Sequence, residues 1–159
     1  MKKNVQKYKG KELSEKEAIA NLLKYYELAS TKELADGLSW YKTANAYCKE
    51  LASRFNITTQ QTAGIIAAFS PQADWASNKR YAVSFLLSPN IRVKSQEQTL
   101  KAKKILTTTN EGEIYNALST VDKAFKTKAF FLNIVNPDIH TTVTIDRHAI
   151  SAILQKPDN

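Results

Sequence analysis

The stretch from Thr58 to Phe69 constrains the fold more than any other. Thr58-Thr-Gln-Gln61 has the form of a capping box, in which a threonine hydroxyl and a glutamine three residues on satisfy each other's backbone amides at a helix start. Behind it runs Ala63-Gly-Ile-Ile-Ala-Ala-Phe69, without one polar side chain to turn toward water. A helix that is apolar all round has to be surrounded, so this segment predicts the centre of a core with other elements packed about it. Ser70-Pro71 ends it, because a residue before proline is pushed out of helical geometry. The chain has only four glycines and four prolines in 159 residues, which favours long helices over a strand-and-turn fold.

The remaining pattern agrees. Ser14-Glu-Lys-Glu17 is a second capping box, followed by Ile19, Leu22, Leu23 and Tyr26 at helical spacing as far as about Ser30. Gly37 is expected to separate a short turn from a helix over 38–55, where Tyr41, Ala44, Cys48, Leu51, Ala52 and Phe55 form one stripe. Asn56 suits the left-handed position after that helix. Further helices are expected over 74–87, 96–106, 113–118 and 123–135, the last with Phe125, Ala129, Leu132, Ile134 and Val135 inward. The β-branched run Thr141–Ile145 is too short to found a sheet, and Asp146 stands in N-cap position for a last helix over 148–154. The expectation is an all-α chain: a basic arm over 1–11 and a single compact helical domain over 12–159.

Charge is distributed unevenly along this net +8 sequence. Residues 1–11 carry +5, residues 79–104 carry +6 and residues 123–128 carry +3, while the segments between are acidic. Such basic blocks suit a polyanion, since each lysine brought to a phosphate releases condensed counterions. They equally suit a surface that keeps a protein soluble. No run approaches the roughly 18 apolar residues of a membrane span, and no apolar stretch follows the lysines of residues 2–11, so a secretory signal is not expected. A cytoplasmic setting, in a bacterium or a phage-infected cell, is the expectation. One cysteine, Cys48, cannot make a disulfide framework, a Cys-rich zinc site or a four-cysteine iron–sulfur cluster. On its inner stripe it reads as an inert core thiol. His140, Asp146 and His148 lack a further ligand at metal spacing, no phosphate-binding glycine loop occurs, and Asn56-Ile-Thr58 is a glycosylation sequon only in a secreted chain.

Two segments carry candidate chemistry: Ala67–Lys79, and Lys126–Asn133 with Val143–His148 behind it. Together they resemble the helix-hairpin-helix DNA glycosylase superfamily, the endonuclease III-like enzymes. Phe69-Ser-Pro-Gln72 and Asn78-Lys79 stand where that family has a Leu-Ser-x-Gln pattern and an Asn-Lys pair. Lys126-Thr-Lys-Ala129 and Ile145-Asp-Arg-His148 match its Lys-Thr-Ala and Val-Asp-x-His elements in the same order. The resemblance covers about residues 60–154, and the segments are also similar to those of phage-borne proteins with an Ala-Ala-x-Ser-Pro stretch and a Val-Thr-Ile-Asp-Arg ending. This chain departs from the family in having Ser119–Ala124 where the hairpin has Gly-x-Gly, and in lacking the cluster cysteines.

The resemblance implies a helical glycosylase core that binds duplex DNA and excises a flipped base, with no cofactor, no metal cluster and a monomer favoured. Asp146 would stabilise the sugar cation formed as the glycosidic bond breaks, and equally reads as a plain N-cap. Lys128 or Lys126 would supply an amine for attack on the sugar and strand cleavage, or else simply face solvent or phosphate. Gln72 would enter the space left by the flipped base. Trp75, Trp40 and Tyr41 would line the base pocket, and Asn78, Asn133 and His148 would bind or orient the substrate. Lys79, Arg80, Lys101, Lys103, Lys104 and Lys123 would contact the DNA backbone. Three other readings stay open: a DNA-binding domain that has lost catalysis, a phage enzyme of modified-thymine metabolism, and a small protein-binding module.

Overall fold

A computed structural model describes residues 6–8, 11–119, 125–139 and 141–155 of the chain. Its elements are a hairpin, β1 (Gln6–Tyr8) and β2 (Lys11–Leu13), then α1 (Glu15–Leu28), α2 (Thr31–Phe55), α3 (Thr59–Phe69), α4 (Trp75–Leu87), α5 (Gln96–Leu106), α6 (Glu111–Leu118), α7 (Phe125–Val135) and α8 (Arg147–Leu154). The architecture is helical, with the hairpin as an addition to what the composition implied. Its antiparallel register sets Gln6 opposite Leu13 and Tyr8 opposite Lys11, across the end of the basic arm. The chain falls into two compact units, one of residues 1–38 and 145–159, the other of Ser39–Thr144.

The second unit is built round α3. Thr58 caps it as expected, its hydroxyl accepting from Gln61 N at 3.0 Å while Gln61 Oε1 accepts from Thr58 N at 2.9 Å. Every residue from Gln61 to Phe69 is buried. Gln61 also donates through Nε2 to the Leu106 carbonyl at 3.2 Å, closing the C-terminus of α5. α4, α5, α6 and α7 all pack on α3, and Phe85, Ile105, Ile114, Phe131 and Ile134 complete the core. Across this unit Asn45 on α2 donates to the Ile134 carbonyl at 2.8 Å, satisfying an end of α7 that has no partner within its own helix.

In the first unit α1 packs on α8. Asn21 donates to the Ile153 carbonyl at 2.6 Å and accepts from Gln155. The burial here is thin. Ile19, Leu22, Leu23 and Tyr26 do lie on a helix, but all four are exposed, and Leu154 is the buried residue of α8.

Three expectations need correction. Gly37 does not break a helix: α2 runs through it from Thr31, because Ser30 and Glu33 form their own reciprocal cap upstream (Ser30 N to Glu33 Oε2, 2.8 Å; Glu33 N to Ser30 Oγ, 3.3 Å). An interior glycine weakens a helix by only about 0.5–1 kcal/mol, which one cap offsets. Phe125 is exposed at 72%, and Phe131 and Asn133, further along α7, are buried. α6 starts at Glu111, two residues earlier than its apolar pattern suggested, because Asn110 caps it. Asn56 does take the left-handed conformation (φ 54°), with Ile57 N reaching back to the Ala52 carbonyl at 3.0 Å.

Candidate nucleic-acid interface

The residues that the sequence singled out near Trp75 assemble within the second unit. Trp40 and Tyr47 lie seven residues apart on α2 and so share one face of it. Trp75 opens α4 and sets its ring 5.2 Å from Trp40 and 5.8 Å from Tyr47. Tyr41 lies 5.0 Å from Trp40, and Phe130 of α7 lies 5.8 Å from Trp40 and 6.2 Å from Tyr41. These edge-to-face and tilted arrangements are those that aromatic quadrupoles favour. All five rings are half-buried, packed on the core with part of each left to solvent. Lys79, one helical turn after Trp75, holds its ammonium 5.4 Å from the Tyr47 centroid and 5.6 Å from that of Trp75. The result is an aromatic cluster with a cation on its rings. Burial raises the Tyr47 phenol pKa, so this ring stays neutral at ordinary pH.

The turn leading into α4 is tightly specified. Ala73 N donates to the Ser70 carbonyl at 3.1 Å, and Gln72 inside this turn is exposed and left-handed (φ 56°). Asp74 then caps α4, its Oδ1 accepting from Ser77 N at 2.7 Å; that bond and one from the Ser77 hydroxyl hold its carboxyl below the usual range. On the other side of the turn sits Lys94, which in the sequence stands out only as one base of the 79–104 block. Its Nζ donates to the Phe69 carbonyl at 3.1 Å and to the Pro71 carbonyl, and lies 5.4 Å from the Tyr81 ring. Burial holds this lysine below its ordinary pKa.

Asn78 is buried on the inward stripe of α4, with Ala82 and Phe85 following at helical spacing. Its Oδ1 is the one fully buried side-chain oxygen or nitrogen without a hydrogen-bond partner among the described residues. Asn133 is also buried, and donates to Thr144 Oγ1 at 3.0 Å, a bond that fixes the extended stretch after α7. Lys128 lies over the Tyr115 ring at 4.5 Å, and Lys126 is exposed. Of the basic residues, Arg80 donates to the Ser77 hydroxyl at 2.9 Å, Lys101 pairs with Glu97 at 2.6 Å, Lys103 is half-buried and Lys104 exposed. Lys123 and most of the 1–11 arm lie outside the described residues, as does His140.

Asp146 belongs to the other unit. It caps α8, with Oδ1 accepting from Ala149 N at 3.0 Å, so the N-cap role is real. His148 is exposed in the first turn of the same helix. Among the described residues no three His, Cys, Asp or Glu side chains gather to hold a metal ion, and no helix is long and apolar enough to cross a membrane.

The family described as "Family of unknown function (DUF7178)" matches residues 4–159, nearly the whole chain. The chain belongs to it. No curated protein and no solved structure matches this DUF7178 protein. The family carries no stated activity, so a function for this DUF7178 member has to be argued from the aromatic cluster and its surroundings. Phe130 and Tyr47 are the members of that site missed in the sequence, and Lys94 is legible there only as part of the basic 79–104 block. A signal existed for Tyr47 alone, in its two-turn spacing from Trp40.

Proposed function

We propose that this chain binds DNA, receives an unpaired base on the Trp40–Trp75 cluster, and excises it as a DNA N-glycosylase. The carrying observation is the half-buried set of five rings with Lys79 over two of them. A base stacked on an aromatic side chain contributes about 1–3 kcal/mol. An ammonium at the edge of the platform suits the phosphate of the same nucleotide, and its present place over the rings supplies a weaker substitute that DNA would replace. Gln72, exposed on its left-handed turn three residues before Trp75, is the side chain presented to fill the gap left in the duplex. The basic block over 79–104 supplies further phosphate contacts.

The chemistry of excision is taken from the sequence resemblance alone. Breaking a glycosidic bond leaves positive charge on the sugar, and the carboxylate of Asp146 would stabilise it or orient water. The bond to Ala149 N engages Oδ1 and orients the group. With Lys128 held on Tyr115 and Lys126 exposed, hydrolysis without an amine intermediate is the form of the reaction we favour.

The test uses labelled duplexes carrying uracil, oxidised, alkylated and hydroxymethylated bases, and an abasic site, with and without borohydride. Base release that is lost in Asp146→Asn while binding persists supports the proposal, since asparagine still caps α8. A borohydride-trapped complex lost in Lys128→Ala or Lys126→Ala would replace hydrolysis with an amine mechanism. Salt-sensitive binding with no product on any substrate would reduce the protein to a DNA-binding domain, and the absence of binding would refute the reading outright.

A further inference from the structure

We infer that Lys94 is the positioning residue of this site: its ammonium clamps the Phe69–Pro71 backbone and thereby sets the turn that presents Gln72 and starts α4 at Trp75. The inference rests on the functional reading above for what the turn presents, and on independent geometry for the clamp. Phe69 O lies at the C-terminus of α3, where carbonyls lack helical partners and the helix dipole favours a cation. Lys94 Nζ satisfies it at 3.1 Å and binds the Pro71 carbonyl two residues on, so one ammonium fixes both sides of Ser70.

Lys94 is itself held. Its own backbone is left-handed (φ 58°), an uncommon conformation for a lysine and one that needs support. The support comes from Thr99, buried on α5, whose hydroxyl accepts from Val93 N at 3.0 Å and lies 2.7 Å from the Val93 carbonyl. α5 packs against α3. A continuous path therefore runs from the core through Thr99, Val93 and Lys94 to the Ser70–Ala73 turn. Lys94 touches backbone rather than offering its charge outward, which distinguishes it from the phosphate-contacting lysines expected nearby.

The first test needs no ligand. Exchange of the Ala73 amide, bonded to Ser70 O, should quicken by about tenfold or more in Lys94→Met, which removes both charge-assisted hydrogen bonds of the ammonium, and Lys94→Arg should recover much of the protection. Unchanged exchange in Lys94→Met overturns the clamp. The second uses a duplex with 2-aminopurine as the base to be everted. Lys94→Met should reduce the fluorescence rise to the level of Gln72→Ala, the double variant should add nothing further, and the salt dependence of binding should stay that of the wild type. A slope smaller by about 0.9 would mean that Lys94 contacts phosphate, and independent losses in the double variant would mean that it acts apart from Gln72; either overturns the inference. Should Lys94→Met fail to fold, Thr99→Val, which releases Val93, is read the same way. A wild type that everts no base refutes the proposed function, while the clamp stands or falls on Ala73 exchange.

Discussion

Two glycines in helices, Gly64 and Gly37, should respond to alanine in opposite directions. A Cβ at Gly64 would sit 2.6 Å from Ile114 Cγ2 and 3.2 Å from Ile105 Cγ2. Carbon atoms pack at about 3.5–4.0 Å, so the nearer methyl must retreat by roughly 1 Å. It cannot do so by a rotamer change at a flexible end, because Cγ2 is attached directly to Cβ of a stiff, β-branched side chain. Ile105 and Ile114 are both fully buried, so the strain passes to α5 and α6. Overpacking of this kind costs about 1–3 kcal/mol, against which alanine returns up to about 1 kcal/mol of helix propensity. Gly64→Ala should therefore destabilise the second unit by about 1 kcal/mol, and by up to about 2 kcal/mol where the isoleucines cannot give way. At Gly37 an added Cβ meets nothing within 4 Å, so alanine there should stabilise α2 by about 0.5–1 kcal/mol. Urea unfolding followed by tryptophan fluorescence reads the second unit, since both tryptophans lie in it, and exchange of the α2 amides reads that helix. In a cycle with Ile114→Ala the two losses should fall short of additive, because the smaller side chain vacates the space the new methyl needs. A Gly64→Ala protein as stable as the wild type, or strictly additive losses, would refute the packing argument.

Asn45→Ala removes the donor to the buried Ile134 carbonyl and should cost about 1–3 kcal/mol in the same unfolding assay; a loss within error of zero would mean that water serves the carbonyl. Burial pushes the Cys48 thiol from 9.0 up to about 12. A raised pKa in the folded state leaves stability intact below the unfolded value and erodes it above. Between about pH 9 and pH 12 the wild type should thus lose about 1.4 kcal/mol per unit relative to Cys48→Ala, and parallel pH profiles for the two would contradict this. Amide exchange should be fastest in α1 and α8, where little is buried, and slowest in α3; equal protection would show that the first unit is supported as firmly as the second.

What was legible in the sequence follows physical locality. Capping boxes, the left-handed Asn56 and the apolar helix α3 are decided by neighbours within a few residues, and the structure has each in place. Gly37 misled because an intrinsic helix penalty was weighed without the Ser30–Glu33 cap seven residues upstream. Phe125 misled because α7 is apolar on more than one face, and periodicity cannot choose which face the core takes. Within the site, the pairing of Trp75 with Trp40 was anticipated as a shared pocket, whereas Phe130 and Lys94 reach their partners across 13 to 90 residues of chain, a distance no local pattern encodes. The isolated Oδ1 of Asn78 was likewise invisible, since it depends on what fails to approach it.

The chain's only two tryptophans, Trp40 and Trp75, both belong to the aromatic cluster, so in the folded protein their intrinsic fluorescence reports on the surroundings of the proposed base site. The most direct measurement is a titration with a duplex carrying one unpaired base, read simultaneously by tryptophan emission and by the anisotropy of a label on the DNA. Stacking predicts saturable quenching that tracks the anisotropy, is stronger than with a fully paired duplex, and is largely lost in Trp75→Ala. Binding seen by anisotropy with tryptophan emission unchanged would place the DNA elsewhere and contradict the account.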